Sequence, residues 1–498
     1  MNELLPLLPS QLNNTLSSLN YFKPEICLTI LFLLVLLADL FLTSKLSWIC
    51  RVVACLGMLV VIQADIYQYA AAGVLKTLFN GMLVFHHPGV VFKLIVDVLA
   101  VLLLLYFPWD TQLKKHEKGL GDAYTIITGS VLGLHLMLMA ANLLSIFLAV
   151  EMVSIASYLL VAYQSDKALS AEASLKYVLF GMASSAVMLY GISLVYAFTG
   201  TIGLFNIELI RGLQNLNQPA LILAFLLILA GIGFKLGAVP LHFWVPDVYQ
   251  GSATPVMAYI STLPKIGAFG LLFNFLLPFG YDQHWFATHF QPVLAVLSIV
   301  TMLVGNFAAV WQTNVKRMLA YSSIGHTGFA LMALLCFNAQ GVSALAFYLV
   351  IYAVANIGTL ALATYFKNVA DADDVTQYGG LGLKFPLASV CYVILLISLT
   401  GLPVTAGFNA KLLVFSADYG VYRQSHNNWL LAALVTGALT TVISLFYYLK
   451  IPLNLFLRKS QTEVSPAKNT FYLPVYCIVL TAILLFFGIF PDLLAKFL

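Results

Sequence analysis

The chain has 498 residues, 61% of them hydrophobic and 9% charged, with a formal net charge of +4. A soluble globular protein carries about 25% charged residues, so most of this surface needs lipid as its solvent. The small, unclustered positive charge leaves no nucleic-acid surface, the scattered cysteines form no CxxC pair for zinc or an iron–sulfur cluster, and no GxGxxG or Walker A pattern marks a nucleotide site.

The first stretch of the chain is polar and rich in Asn and Ser, without a basic region. It is not a cleavable signal peptide, and the first span serves as the insertion signal. A span needs about 20 mostly apolar residues. Such segments occur at 24–43, 46–65, 89–109, 122–140, 142–164, 172–199, 219–239, 252–277, 291–312, 319–337, 341–366, 386–416, 428–450 and 470–490. The sequence thus predicts an all-α polytopic membrane protein of about fourteen transmembrane helices. Residues 66–88 are less regular and predict a short interfacial helix or a hairpin.

An even number of spans puts both termini on one side. Lys45, Arg51, Lys114, Lys115, Lys118, Lys167, Lys316, Arg317, Lys367, Lys384, Lys450, Arg458, Lys459 and Lys468 follow odd-numbered spans. Lys23, Lys76, Lys93, Arg211, Arg423 and Lys496 lie on the other side. By the positive-inside rule the larger set is cytoplasmic. Both termini then lie on the non-cytoplasmic side.

A few charges fall inside spans, where each costs roughly 2.5–3.5 kcal/mol on insertion scales. Lys93 and Asp97 are one helical turn apart, which predicts a local pair. His135 sits in the apolar string LGLHLMLMA. Glu151, in FLAVEMVSIAS, lies roughly 13 Å into its span, near the midplane; a structural ion pair is the alternative to a functional carboxylate. Lys176 begins its span close to Glu172, and snorkelling to the cytoplasmic surface competes with a buried role. Lys235 lies in GIGFKLGAVPLHFWVPD, where Pro240 breaks the helix and frees carbonyls. Irregular backbone at membrane depth is tolerated only inside protein or beside water, which makes Lys235 a candidate for a hydrated site. His242 beyond the break is either a relay or a structural histidine. Lys265 follows Pro264 directly, and Lys411 lies in SLTGLPVTAGFNAKLLVF, a second broken span. His326 has Ser322, Ser323 and Thr327 beside it, suiting either a proton relay or a core histidine bonded to a serine. No further intramembrane carboxylates group together for sodium or solute, which weakens a solute transporter.

The two broken spans, the seventh and the twelfth, are an odd number apart, so a second copy of a repeat would enter with opposite orientation. Interrupted segments in corresponding positions predict two inverted five-helix repeats, each with a broken helix, around a central transport site. The expected division is 1–120 with three N-terminal spans, 121–277 and 291–452 as the repeats, and 453–498 with the last span.

The strings LAVEMVSIASYLLVAY, EASLKYVLFG, GFKLGAVPLHFWVPDVYQGSATPV, STLPKIGAFG, VKRMLAYSSIGHTGF and GLPVTAGFNAKLLVF resemble the antiporter-like subunits of respiratory complex I over about residues 120–450. Within that family the EASLKY string, the end of the chain soon after the last span, and Lys411 where the M type has a glutamate are most similar to the N type. The proline before Lys265 departs from the family pattern. The resemblance implies that Glu151 pairs with Lys235 and tunes its proton affinity. It implies that Lys265 bridges to the second half near His326, that Lys411 is the terminal donor, and that Lys176 belongs to the charged set. It also implies no cofactor in this chain. NADH, FMN, iron–sulfur clusters and quinone belong to partner subunits, and the partners are other antiporter-like and small membrane subunits, within the lipid bilayer.

These readings predict a proton-translocating subunit of NADH–quinone oxidoreductase, working through Glu151, Lys235, Lys265 and Lys411, with Lys176, His242 and His326 as further members. At about 4 Å and an effective dielectric near 20, a Glu151–Lys235 pair is worth roughly 4 kcal/mol, and weakening it would send the proton onward. The rivals are a subunit of a multisubunit cation/proton antiporter and a purely structural membrane subunit.

Overall fold

A computed structural model describes residues 8–42, 46–73, 75–116, 118–281, 283–459 and 472–498. Lys45 and Lys468, counted above for orientation, lie outside the described residues, as do residues 1–7 of the polar N-terminal stretch.

The described helices in chain order are α1 Leu8–Leu19, α2 Lys23–Phe41, α3 Ser47–Ala71, α4 His87–Tyr106, α5 Gly121–Met139, α6 Leu143–Val161, α7 Ala168–Thr199, α8 Ile207–Gln214, α9 Gln218–Leu236, α10 Trp244–Gly251, α11 Thr254–Leu276, α12 Gln283–His289, α13 Gln291–Val310, α14 Val315–Leu335, α15 Ala339–Ala370, α16 Leu381–Lys384, α17 Pro386–Thr400, α18 Ala406–Ser425, α19 Asn428–Leu457, α20 Tyr472–Ile489 and α21 Pro491–Ala495. Thirteen of the described helical segments are long and apolar enough to cross a membrane. The broken pair α17–α18 makes the remaining span. The interval after α3 holds a two-stranded antiparallel hairpin, β1 Lys76–Leu78 and β2 Leu83–Phe85, so the hairpin of the two sequence alternatives is the one found.

Local chemistry sets the helix starts. Asparagine side chains cap α6, α8, α9, α14, α15 and α19 by accepting from first-turn amides. Proline opens α2, α4, α9, α11, α13 and α17, where its missing N–H costs nothing. Two predicted spans run further than their hydropathy suggested. Past Leu236 the chain turns through Gly237 (φ 67°) and resumes as α10. Past Thr400 it turns through Gly401 (φ 84°) and resumes as α18, which continues to Ser425. A break splits the apolar run, and the more polar second half escapes a hydropathy count.

Burial sorts the helices into interior and perimeter. The apolar windows of α11, α14 and α15 are each 94% buried, against 28% for α2, α3 and α19. The former make the central wall and the latter present leucines and phenylalanines outward, as a lipid-facing belt requires. α15 packs on α4, α11, α14, α17, α18 and α20, so the N-terminal helices and the second half meet on it. Gln68 Nε2 donates to Tyr21 O at 2.9 Å and Tyr69 Oη donates to Phe497 O at 3.1 Å. The head of α2 and the last residues of the chain therefore share one end of the bundle.

Candidate functional site

Three lysines are buried at the breaks and along the central wall. Each meets the energetic demand of burial differently. Lys235 is on the last turn of α9 and 2% exposed. Its Nζ makes no hydrogen bond among the described residues. It lies over the rings of Tyr158 (5.6 Å) and Tyr177 (5.7 Å), whose faces attract a cation. Tyr177 in turn stacks on Trp244 at the head of α10.

The expected Glu151–Lys235 ion pair is not present among the described residues. Glu151 accepts a short hydrogen bond from Ser185 on α7, while remaining in Coulombic reach of Lys235. The reason lies in α6. Tyr158 sits two turns after Glu151 on the same face, and its ring takes the place beside the ammonium. Sequence reasoning missed both tyrosines, although Tyr177 stands in the EASLKY string.

The carbonyls freed at the first break find protein partners. Trp244 Nε1 donates to Phe234 O at 3.1 Å, and Thr327 Oγ1 to Leu236 O at 3.0 Å. Thr327 also accepts from Lys265 Nζ at 2.8 Å. Lys265 completes its donors with Ser323 Oγ (2.7 Å) and Ser323 O (3.0 Å), and no carboxylate bonds it among the described residues. One hydroxyl on α14 thus joins the break beside Lys235 to Lys265 on α11. His242, in the same break, lies tilted against the Phe243 ring, 4.6 Å between centroids, and its Nδ1 has no hydrogen-bond partner among the described residues. It touches neither Lys235 nor Lys265 through a hydrogen bond.

His326 bonds two tyrosines, Nδ1 to Tyr348 Oη at 2.7 Å and Nε2 to Tyr448 Oη at 3.0 Å. The serine expected as its partner stands one step away, since Ser322 Oγ shares a short hydrogen bond with Tyr448 Oη. Ser323 Oγ meets Tyr352 Oη at 2.7 Å, and that ring lies 4.8 Å from the imidazole. Two narrow cavities, each with room for about one water molecule, lie between His326 and Lys411, and Tyr348 lines both. Asn306, Thr441 and Ser444 give the first a polar wall. A polar recess of this kind suits ordered water. Lys411, 7% exposed on the first turns of α18, donates to Thr400 O at 2.7 Å and Thr441 Oγ1 at 3.3 Å. Thr400 ends α17, so the lysine occupies the negative end of that half-helix.

Lys176 is apart from this file. Its side chain is 37% exposed and bridges Glu172 Oε1 and Asp247 Oδ2, both at 2.7 Å. Asp247 also takes Arg317 Nη1 at 2.8 Å. The lysine reaches the bundle end, as snorkelling requires.

The N-terminal spans differ most from expectation. Lys93 does not pair with Asp97. It bonds Glu25 Oε1 at 2.7 Å and Gln68 Oε1 at 2.9 Å, and lies 3.1 Å from Asp65 Oδ1. Asp97 Oδ1 instead meets His135 Nε2 at 3.0 Å, and His135 Nδ1 meets Glu25 Oε1 at 3.1 Å. Intramembrane carboxylates are therefore grouped after all. Glu25 and Asp65 stand near the ends of their spans, where a charge looks interfacial, so no local pattern marked them.

The family described as NADH:quinone oxidoreductase/Mrp antiporter, TM, matches residues 140–443. The chain therefore belongs to that family of membrane subunits. NADH-quinone oxidoreductase subunit N 2 of Chloroherpeton thalassium is 39% identical, over 94% of this chain and 91% of the relative. NADH-quinone oxidoreductase subunit N of Chlorobium chlorochromatii is 37% identical, over 97% and 94%. Among solved structures, a chain of respiratory complex I from Thermus thermophilus is 28% identical and superimposes with a TM-score of 0.77, over 95% of this chain and 98% of that one.

Proposed function

We propose that this chain is a proton-translocating membrane subunit, of the N type, of an NADH–quinone oxidoreductase. The observation that carries the reading is the set of three buried lysines, Lys235, Lys265 and Lys411, none held by a carboxylate salt bridge among the described residues. An unpaired lysine at membrane depth is costly, and one held only by hydroxyls, carbonyls and rings can give its proton away. Relatives named subunit N support the assignment over a whole-chain match.

In this mechanism Lys235 takes a proton, with Glu151 acting through space rather than by contact. The hydroxyls of Thr327 and Ser323 link the first break to Lys265. Tyr352, His326 and Tyr448 carry the file on, and the cavities beside Tyr348 lead to Lys411. His242 and Lys176 stand as side members of this proposal. Residues 121–277 and 291–452 are the inverted repeats, 1–120 and 453–498 the additions. NADH, FMN, iron–sulfur clusters and quinone belong to partner subunits, and other antiporter-like and small membrane subunits flank this one. The membrane is the bacterial inner membrane, with both termini on its non-cytoplasmic side.

The test uses the assembled complex with Lys235→Met, Lys265→Met or Lys411→Met. Proton uptake into vesicles per electron should fall while NADH oxidation by an artificial acceptor stays near wild type. Unchanged pumping in all three would refute the file. Sodium-driven pH changes in vesicles without NADH oxidation would instead favour the antiporter reading.

A further inference from the structure

Five buried ionisable groups of the first four spans lie outside the lysine file. Glu25 on α2, Asp65 on α3, Lys93 and Asp97 on α4, and His135 on α5 are all 0% exposed. They are sealed at the bundle end by the hairpin and a small apolar cluster of Leu78, Leu83, Phe85, Val90 and Met139, with Tyr21 and Phe22 packed against it.

Their charges do not balance. Three carboxylates face one ammonium and one imidazole. Both ring nitrogens of His135 meet carboxylate oxygens, Glu25 Oε1 and Asp97 Oδ1; with those two carboxylates ionised, both nitrogens donate and the ring is an imidazolium. The sum is then −3 for the acids against +2, a net −1 at a site without solvent. A buried charge of that kind neutralises rather than persists. Glu25 and Asp97 each accept a hydrogen bond and fit the ionised form. Among the described residues Asp65 makes no hydrogen bond at either oxygen, and its ion-pair contact is Lys93 Nζ, 3.1 Å from Oδ1. A side-chain oxygen of Asp65, one of Asp97 and a nitrogen of His135 fall within 4.8 Å of one another, close enough to share one small cation. The Lys93 ammonium already occupies the neighbouring position, and a metal ion would meet its full repulsion, whereas a proton cancels the excess charge on a carboxylate oxygen itself.

We propose that this cluster is a proton-binding site of the N-terminal spans, separate from the lysine file, with its extra proton on Asp65. Gln68 forms its rim. It accepts from Lys93 and donates to Tyr21 O, which marks the way out beneath the hairpin.

The test is infrared spectroscopy of the assembled membrane complex at neutral pH, with this chain wild type, Asp65→Asn or Asp97→Asn. The wild type should carry a carboxylic-acid C=O stretch that is lost in Asp65→Asn. Because the charge count demands the proton, Asp97→Asn should lose it too, leaving Asp65 ionised against Lys93. If Asp65→Asn fails to assemble, isotope-labelled aspartate in the wild type must shift the same band that Asp97→Asn removes. No band differing between wild type and either variant overturns the proposal. So does a wild-type band that sodium abolishes and potassium leaves, because the bound cation is then a metal ion.

Discussion

Thr327 holds more of the candidate path together than any of the ionisable residues around it. Its one hydroxyl accepts from Lys265 and donates to Leu236 O, the last carbonyl before the first break. Thr327→Val keeps the shape and removes both bonds. It leaves a buried carbonyl and one ammonium donor short of partners, a cost of about 1–3 kcal/mol. The assembled complex should melt lower and pump more slowly, with Thr327→Ser restoring both; a wild-type melting curve for the valine variant would contradict this. Lys235 depends on ring faces instead. Tyr158→Phe keeps the face and should pump near wild type, whereas Tyr158→Leu removes an attraction of about 0.5–2 kcal/mol and should lower proton uptake per electron. At this scale the lysines and His326 were legible, because charge inside an apolar run stands out. Their tyrosine and hydroxyl partners were not, since such residues are ordinary in a span until the fold turns them inward. The Lys93–Asp97 pair was misread for a related reason. Spacing along α4 suggests a pair, but Glu25 and Asp65 come from helices whose approach no local pattern encodes.

The two breaks are the element-level features that position the file, and glycine and proline announced both. Gly401 adopts φ 84°, where an L side chain costs about 1–2 kcal/mol. A Cβ there would lie 2.7 Å from Cδ of Lys411. Gly401→Ala should therefore displace the lysine from Thr400 O and reduce pumping several-fold without preventing assembly. Gly420, later on the same α18, has nothing within 4 Å of its Cβ position, so Gly420→Ala is the matched control and should pump normally. Equal activity in the two variants would argue that the turn does not hold Lys411. The lengths of α10 and α18 were not legible, because polarity rather than hydropathy carries the chain beyond each break. The hairpin after α3 was legible only as one of two choices, since its short strands are settled by packing against α1 and α5.

For the whole molecule, one partly exposed cluster ties the first half to the second. Asp247 on α10 holds Lys176 from α7 and Arg317 from α14. With side chains about a third open to solvent, such pairs are screened by water and add little to stability. Asp247→Asn should lower the melting point slightly, less so in high salt, and Lys176→Met should pump near wild type, unlike Lys235→Met. That cluster also marks the end of the bundle opposite the one where Tyr21 and Phe497 lie. Basic loop residues gather on its side, which is the cytoplasmic side in the proposed orientation. Lys496 is exposed at one end and Asp166, between α6 and α7, at the other. Lys496→Cys should thus be modified by a membrane-impermeant maleimide in right-side-out vesicles, and Asp166→Cys only after the vesicles are opened. The native thiols are buried or half-buried, so wild type supplies the background. The reverse pattern would invert the protein, and the break beside Lys411 would then open toward the cytoplasm and serve as the entry of the file rather than its exit.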